Sequence, residues 1–138
     1  MLKRLFGNSA PKEIAISALD LSSGDFHLSV VGESHYQDEL RRIAAGRTKK
    51  RERVEFRVVL IPELDNKYDP QAVAIHADQG GIIGYLSREE AAEYQPAIIA
   101  MKKTKSRYPA CRAVLIGGYE GKPSIGVVLD LDVDALED

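Results

Sequence analysis

Asn66-Lys67-Tyr68-Asp69-Pro70-Gln71-Ala72-Val73-Ala74-Ile75, with Gly84-Tyr85-Leu86 a short hairpin downstream, organises the reading of this chain. Turn formers and a carboxylate abut a β-branched apolar run. A hairpin corner calls for Asn, Asp, Gly or Pro, but has no need of Tyr68. Ala72 to Ala77 reads as one strand, Asp78-Gln79-Gly80-Gly81 as its turn, and Ile82 to Leu86 as the returning partner.

Upstream, Val54 to Pro62 alternates and then becomes wholly apolar, as a buried strand does, and Pro62 ends it. Phe26 to Val31 reads as an earlier core strand, stopped by Gly32. Gln37 to Ala44 reads as a helix offering Leu40 and Ile43 to a core. Gly46 to Arg53 is basic, lacks apolar anchors, and is expected to be a mobile loop. Downstream, Ser87-Arg88-Glu89-Glu90 has the form of a capping box. The helix it opens has Ala91, Tyr94, Ile98 and Met101 on one face, with a kink or restart expected at Pro96. Strands Ala110–Ile116 and Ile125–Leu131, joined by Gly117 to Gly121, close the domain. Near the start, Glu13 to Ala18 reads as a further strand. The expected class is mainly β with two helices, a small six-stranded barrel.

With 138 residues and 44% hydrophobic, the chain can bury one real core. Its single cysteine, Cys111, excludes an internal disulfide and a cysteine-based zinc site, and the bland reading makes it a packed strand residue. Three scattered histidines give no metal-ligand spacing, so neither a metal nor another cofactor is expected. There is no Gly-x-x-x-x-Gly-Lys-[Ser/Thr] phosphate loop. No apolar run reaches the ~18 residues of a membrane span. The basic start lacks the apolar stretch of a signal peptide, so a cytoplasmic location without membrane partners is expected.

The net charge of −2 conceals an uneven layout. The last nine residues hold five acids, and without them 19 bases face 16 acids. From Arg41 to Arg53 there are seven bases and one acid, Glu52. The plain reading of that run is a solvated loop, and the functional one is a basic arm along a phosphate backbone. The acidic tail is expected to compete for it.

Val31-Gly32-Glu33, Asn66-x-Tyr68-Asp69-x-x-Ala72-Val73-x-Ile75 and Gly84-Tyr85-Leu86-x-Arg88 together resemble the HIRAN domain. Gly126-Val127-Val128-Leu129-Asp130-Leu131 is similar to its free-standing bacterial versions. The resemblance covers 26–131, leaving 1–25 as an N-terminal extension and 132–138 as an acidic tail. It implies an OB-like barrel and a non-catalytic module for single-stranded DNA, in DNA repair or replication stress. It further implies that Tyr68 and Asp69 lie at a free 3′-terminal nucleotide, with Tyr85 and Arg88 beside them. A family Arg-Tyr pair aligns with Ser34-His35, next to Tyr36. The family's last-loop aromatic falls near Gly117-Gly118, where Tyr119 is the neighbouring aromatic.

On chemical grounds Asp69 can accept from a 3′-hydroxyl and would repel a phosphate there. Tyr68, Tyr85 and His35 could stack bases, each platform contributing roughly 1–3 kcal/mol. Arg88 and Lys67 could hold phosphates. Asn66, as the loop's first turn former, completes the set of candidate residues. The competing structural reading makes Asp69 a turn carboxylate before Pro70 and Tyr85 a half-buried strand residue. Besides DNA, a separately encoded DNA-processing enzyme is an expected partner. The alternative function is a protein-interaction adaptor using the same groove or a barrel edge.

Overall fold

The computed structural model describes residues 17–78 and 80–137. Among the described residues seven strands and two helices follow in order: β1 (Ala18–Asp20), β2 (Leu28–Ser29), α1 (Gln37–Ala44), β3 (Glu55–Pro62), β4 (Val73–Ala77), β5 (Ile82–Tyr85), α2 (Arg88–Lys105), β6 (Tyr108–Tyr119) and β7 (Lys122–Leu129). Short 3-10 turns lie at Glu33–His35, Thr48–Lys50 and Asp134–Glu137.

The alternation read along Val54–Pro62 puts Val58 and Leu60 in the core, and Val59 is buried as well. That double burial suits the central place of β3, antiparallel to β6 on one side and β4 on the other. The sheet runs β2-β7-β6-β3-β4-β5, with β1 added in parallel to the start of β6. Its two ends meet. Val31 donates to the Tyr85 carbonyl at 2.8 Å and accepts from the Tyr85 amide at 2.9 Å, closing the curl into a six-stranded barrel. Closure satisfies backbone groups that an open edge would leave unpaired.

Gly84 makes that closure possible. A Cβ there would lie 2.8 Å from the Val31 carbonyl oxygen and collide with Val30 Cγ1. The core gathers Leu40, Leu60, Ile75, Ile83, Ile98 and Leu129, and Leu19, Leu21 and Leu136 also join it. The strand expected over Glu13–Ala18 falls largely outside the described residues, and within them β1 begins at Ala18.

Four expectations change. The Phe26–Val31 strand shortens to Leu28–Ser29 plus the Val31 bridge. α2 runs unbroken through Pro96, its first turn capped by Ser87 Oγ, which accepts from the Glu90 amide at 3.1 Å. The link between the last two strands is shorter than Gly117–Gly121, because the ladder continues to the Tyr119–Lys122 pair after a register shift. The Gly46–Arg53 segment is anchored: Thr48, 5% exposed, packs over Gly118. The acidic end docks on the domain, its 3-10 turn lying on α2 with Leu136 5% exposed.

Candidate nucleic-acid interface

The Asn66–Pro70 loop is rigid for local reasons. The Asn66 side-chain oxygen accepts from the amides of Tyr68 at 2.9 Å and Asp69 at 3.1 Å, an Asx-type turn. Its side-chain nitrogen donates to Glu63 Oε1 at 3.0 Å. Asp69 Oδ1 accepts from the Gln71 amide at 3.0 Å, so the turn reading of this carboxylate is correct for one oxygen. The other oxygen, Oδ2, faces Arg88 Nε at 3.8 Å. Arg88 is held there by the first turn of α2, yet its side chain is 82% exposed, which keeps the ion pair weak.

Tyr68 projects from this fixed turn with 92% of its surface exposed. Lys67 is exposed beside it. A large aromatic so placed contributes little to the fold and presents a full face to a ligand.

Glu63, which sequence reasoning missed, ties the loop to the barrel. It accepts from Asn66, and both its carboxylate oxygens receive the Tyr85 hydroxyl, at 3.1 and 3.2 Å. Burial, and then this carboxylate, keep the Tyr85 phenol protonated well above its usual range. The Tyr36 hydroxyl lies close by. The signal available was spacing: Glu63 and Asn66 are three apart immediately after a strand-ending proline, as in a closed turn.

Tyr36 closes the 3-10 turn that carries Ser34 and His35, both exposed, and leads into α1. The structure therefore brings Asn66, Lys67, Tyr68, Asp69, Arg88, Tyr85 and Tyr36 into one connected region, with His35 adjoining. Tyr85 is the half-buried strand residue of the plain reading, and its hydroxyl is committed to Glu63.

Tyr119 belongs to a second cluster. The Arg51 guanidinium lies over its ring, 3.8 Å from the centroid. A Cβ on Gly118 would meet Thr48 Oγ1 at 2.6 Å, so Thr48 fills the space next to these glycines. Gln37 joins the two clusters. Its side chain donates to the Ile125 carbonyl and accepts from the Ile125 amide, both at 2.9 Å.

Among the described residues no group of three or more His, Cys, Asp or Glu side chains is placed to hold a metal ion, and no helix is long and apolar enough to cross a membrane. Cys111 is fully buried, and burial first, then Asp130, push its thiol up to about 12. It is a packed core residue rather than a nucleophile.

No curated protein matches the chain. Two solved structures are similar to it. A Lactobacillus plantarum protein is 22% identical over 74% of this chain and 86% of its own, with a TM-score of 0.42. The HIRAN domain of human HLTF is 17% identical over 61% of this chain and 82% of its own, with a TM-score of 0.29. The HIRAN domain model matches residues 23–114, two thirds of the chain. With its closed barrel, two helices and the Asn66–Asp69 and Gly84–Leu86 motifs on one wall, the chain belongs to the HIRAN domain family of nucleic-acid-binding modules.

Proposed function

We propose that this protein binds single-stranded DNA at a free 3′ end, in the loop between β3 and β4, and performs no chemistry on it. The observation that carries this is the pairing of a fixed turn with an exposed ring. The Asn66 hydrogen bonds hold Tyr68, 92% exposed, directly before Asp69. A terminal base stacks on Tyr68, and the 3′-hydroxyl donates to Asp69 Oδ2, the oxygen that the Gln71 amide leaves free. An internal nucleotide has a phosphate in place of that hydroxyl, and the carboxylate repels it. Lys67 and Arg88 meet the adjoining phosphates, while Tyr85, Tyr36 and His35 line the approach. Such a module serves repair or stalled replication by presenting strand ends to a separately encoded enzyme.

Fluorescence anisotropy with three oligonucleotides tests the reading: one with a 3′-hydroxyl, one with a 3′-phosphate, and a circle. The expected order places the 3′-hydroxyl strand first, and Asp69→Ala removes the preference. Equal binding to all three by the unaltered protein sinks end recognition. Failure to bind any of them favours the adaptor function instead.

A further inference from the structure

The end-binding loop is poor in positive charge. Between Glu63 and Asp69 it carries Glu63, Asp65 and Asp69 against Lys67 alone. A strand bound there needs its phosphates neutralised somewhere else. The basic cluster across Gln37 has what the loop lacks.

Three features of that cluster point to a ligand. Lys49, Lys50 and Arg51 are consecutive and exposed, on a turn held in place by buried Thr48. Two of the acids near them are engaged: Glu52 accepts from Arg47 at 3.2 Å, and Glu55 pairs with Arg53, while Glu120 stands exposed at the rim of the adjoining cleft. Arg51 itself is the left-handed cap of that turn, with φ 59 and its amide donating to the Thr48 carbonyl, as Ala45 and Ser106 cap α1 and α2. The structure holds it there with its guanidinium over Tyr119.

Beside this turn lies a cleft of ≈ 500 Å³, with Ile125 and Pro123 on its wall and Arg41 and Lys49 among its cations. Apolar floor and cationic rim together suit a nucleotide better than a carboxylate peptide, which brings charge without a flat apolar face. The cleft is also close to the end-binding region. Ile125 lines it, Gln37 clamps the Ile125 backbone, and the residue before Gln37 is Tyr36, next to the Tyr85 hydroxyl. Arg41 is one helical turn beyond Gln37 on α1.

We propose that the Thr48–Lys50 turn and the β6–β7 hairpin form a second surface that binds the phosphates of the strand leaving the end pocket. Arg51, seated on Tyr119, is its central contact. Tyr119 here acts on the strand through Arg51, because the guanidinium covers the ring face a base would need. The proposal rests on the end-binding reading for the strand's direction, and on its own charges for the contact.

The test uses the full chain and labelled single strands of about four and about twelve nucleotides, spanning the site sizes such surfaces occupy. The variant is Lys49→Ala, Lys50→Ala and Arg51→Gly combined, glycine being at ease at that φ. Loss of three cations should weaken the longer strand about tenfold at low salt. It should also reduce the slope of log affinity against log salt by about 2. The short strand should change less than about twofold, with the melting temperature kept. Wild-type affinity and slope for the longer strand overturn the proposal, as does an equal loss on both lengths. A circular strand that binds as well as a linear one and is weakened by the variant keeps this surface and sinks end recognition. A 3′-hydroxyl preference alongside an inert variant does the reverse. Displacement of the longer strand by an equally charged poly-glutamate peptide, mole for mole, overturns the assignment to nucleic acid.

Discussion

The Tyr85 hydroxyl donates to both oxygens of the Glu63 carboxylate, and through this contact the β5 strand fixes the loop between β3 and β4. Glu63 also receives the Asn66 side chain, so one carboxylate connects the barrel to the residue that shapes the loop. Tyr85→Phe removes the hydroxyl and leaves the ring. The expected stability loss is about 1 kcal/mol, that of one hydrogen bond. Glu63→Ala releases Asn66 and Tyr85 together and should weaken strand binding more than Tyr85→Phe does. Denaturant melts and anisotropy on both variants check this ranking, and the reverse order removes Glu63 from its organising role.

Gly84→Ala should open the barrel where its ends meet. The new methyl collides with Val30 and approaches the Val31 carbonyl oxygen, which accepts from the Tyr85 amide. Because one of the obstacles is backbone, relief requires the strands to separate. A loss of about 2 kcal/mol is expected from overpacking. Hydrogen exchange at the Val31 and Tyr85 amides should rise more than at β3 amides, and unchanged protection there refutes the account.

Asp130 should matter for stability and hardly at all for binding. Its carboxylate is wholly buried and accepts from the Arg112 amide at 2.7 Å and the Gly24 amide at 3.0 Å, with Arg112 Nε at 3.5 Å. Asp130→Ala removes the acceptor of two part-buried amides and is expected to cost about 2 kcal/mol. Once folded, the variant should bind single strands like the parent protein. A melt within about 0.5 kcal/mol of wild type contradicts the stabilising role of the Asp130 carboxylate.

His76 gives the protein a mild acid sensitivity. Burial in β4 lowers its pKa below the ordinary 6.5, against a smaller opposing pull from Glu63. The unfolded chain therefore binds this proton more readily than the native one. Its contribution to stability is complete above pH 6.5 and is lost as pH falls from there through the lowered native value. His76→Gln should flatten the melting-temperature profile between about pH 7 and 5. An identical slope in both proteins assigns the sensitivity elsewhere.

Much of the fold is legible in local pattern. Alternation passing into an apolar run marks β3, a β-branched apolar run marks β4, Leu40 and Ile43 mark the inner face of α1, and Ser87 with Glu90 marks the start of α2. These signals succeed because strand and helix periodicity act over a few residues. The Thr48–Lys50 turn escaped the same reasoning, since its anchor depends on Gly118, far along the chain, having no side chain. α2 does not restart at Pro96, because the packing of Ala91, Ile98 and Met101 on the core offsets one missing backbone donor.

At the candidate site, local sequence suffices for the loop. Asn66, Asp69 and their local hydrogen bonds span a handful of residues, so residue type and spacing suffice to specify them. What the loop faces depends on long-range packing. Glu63 under Tyr85, Tyr36 beside it, and Arg51 across Tyr119 are set by sheet register and by the closure of Val31 onto Tyr85. Those relations join residues distant in sequence, and their geometry exists only once the barrel has closed.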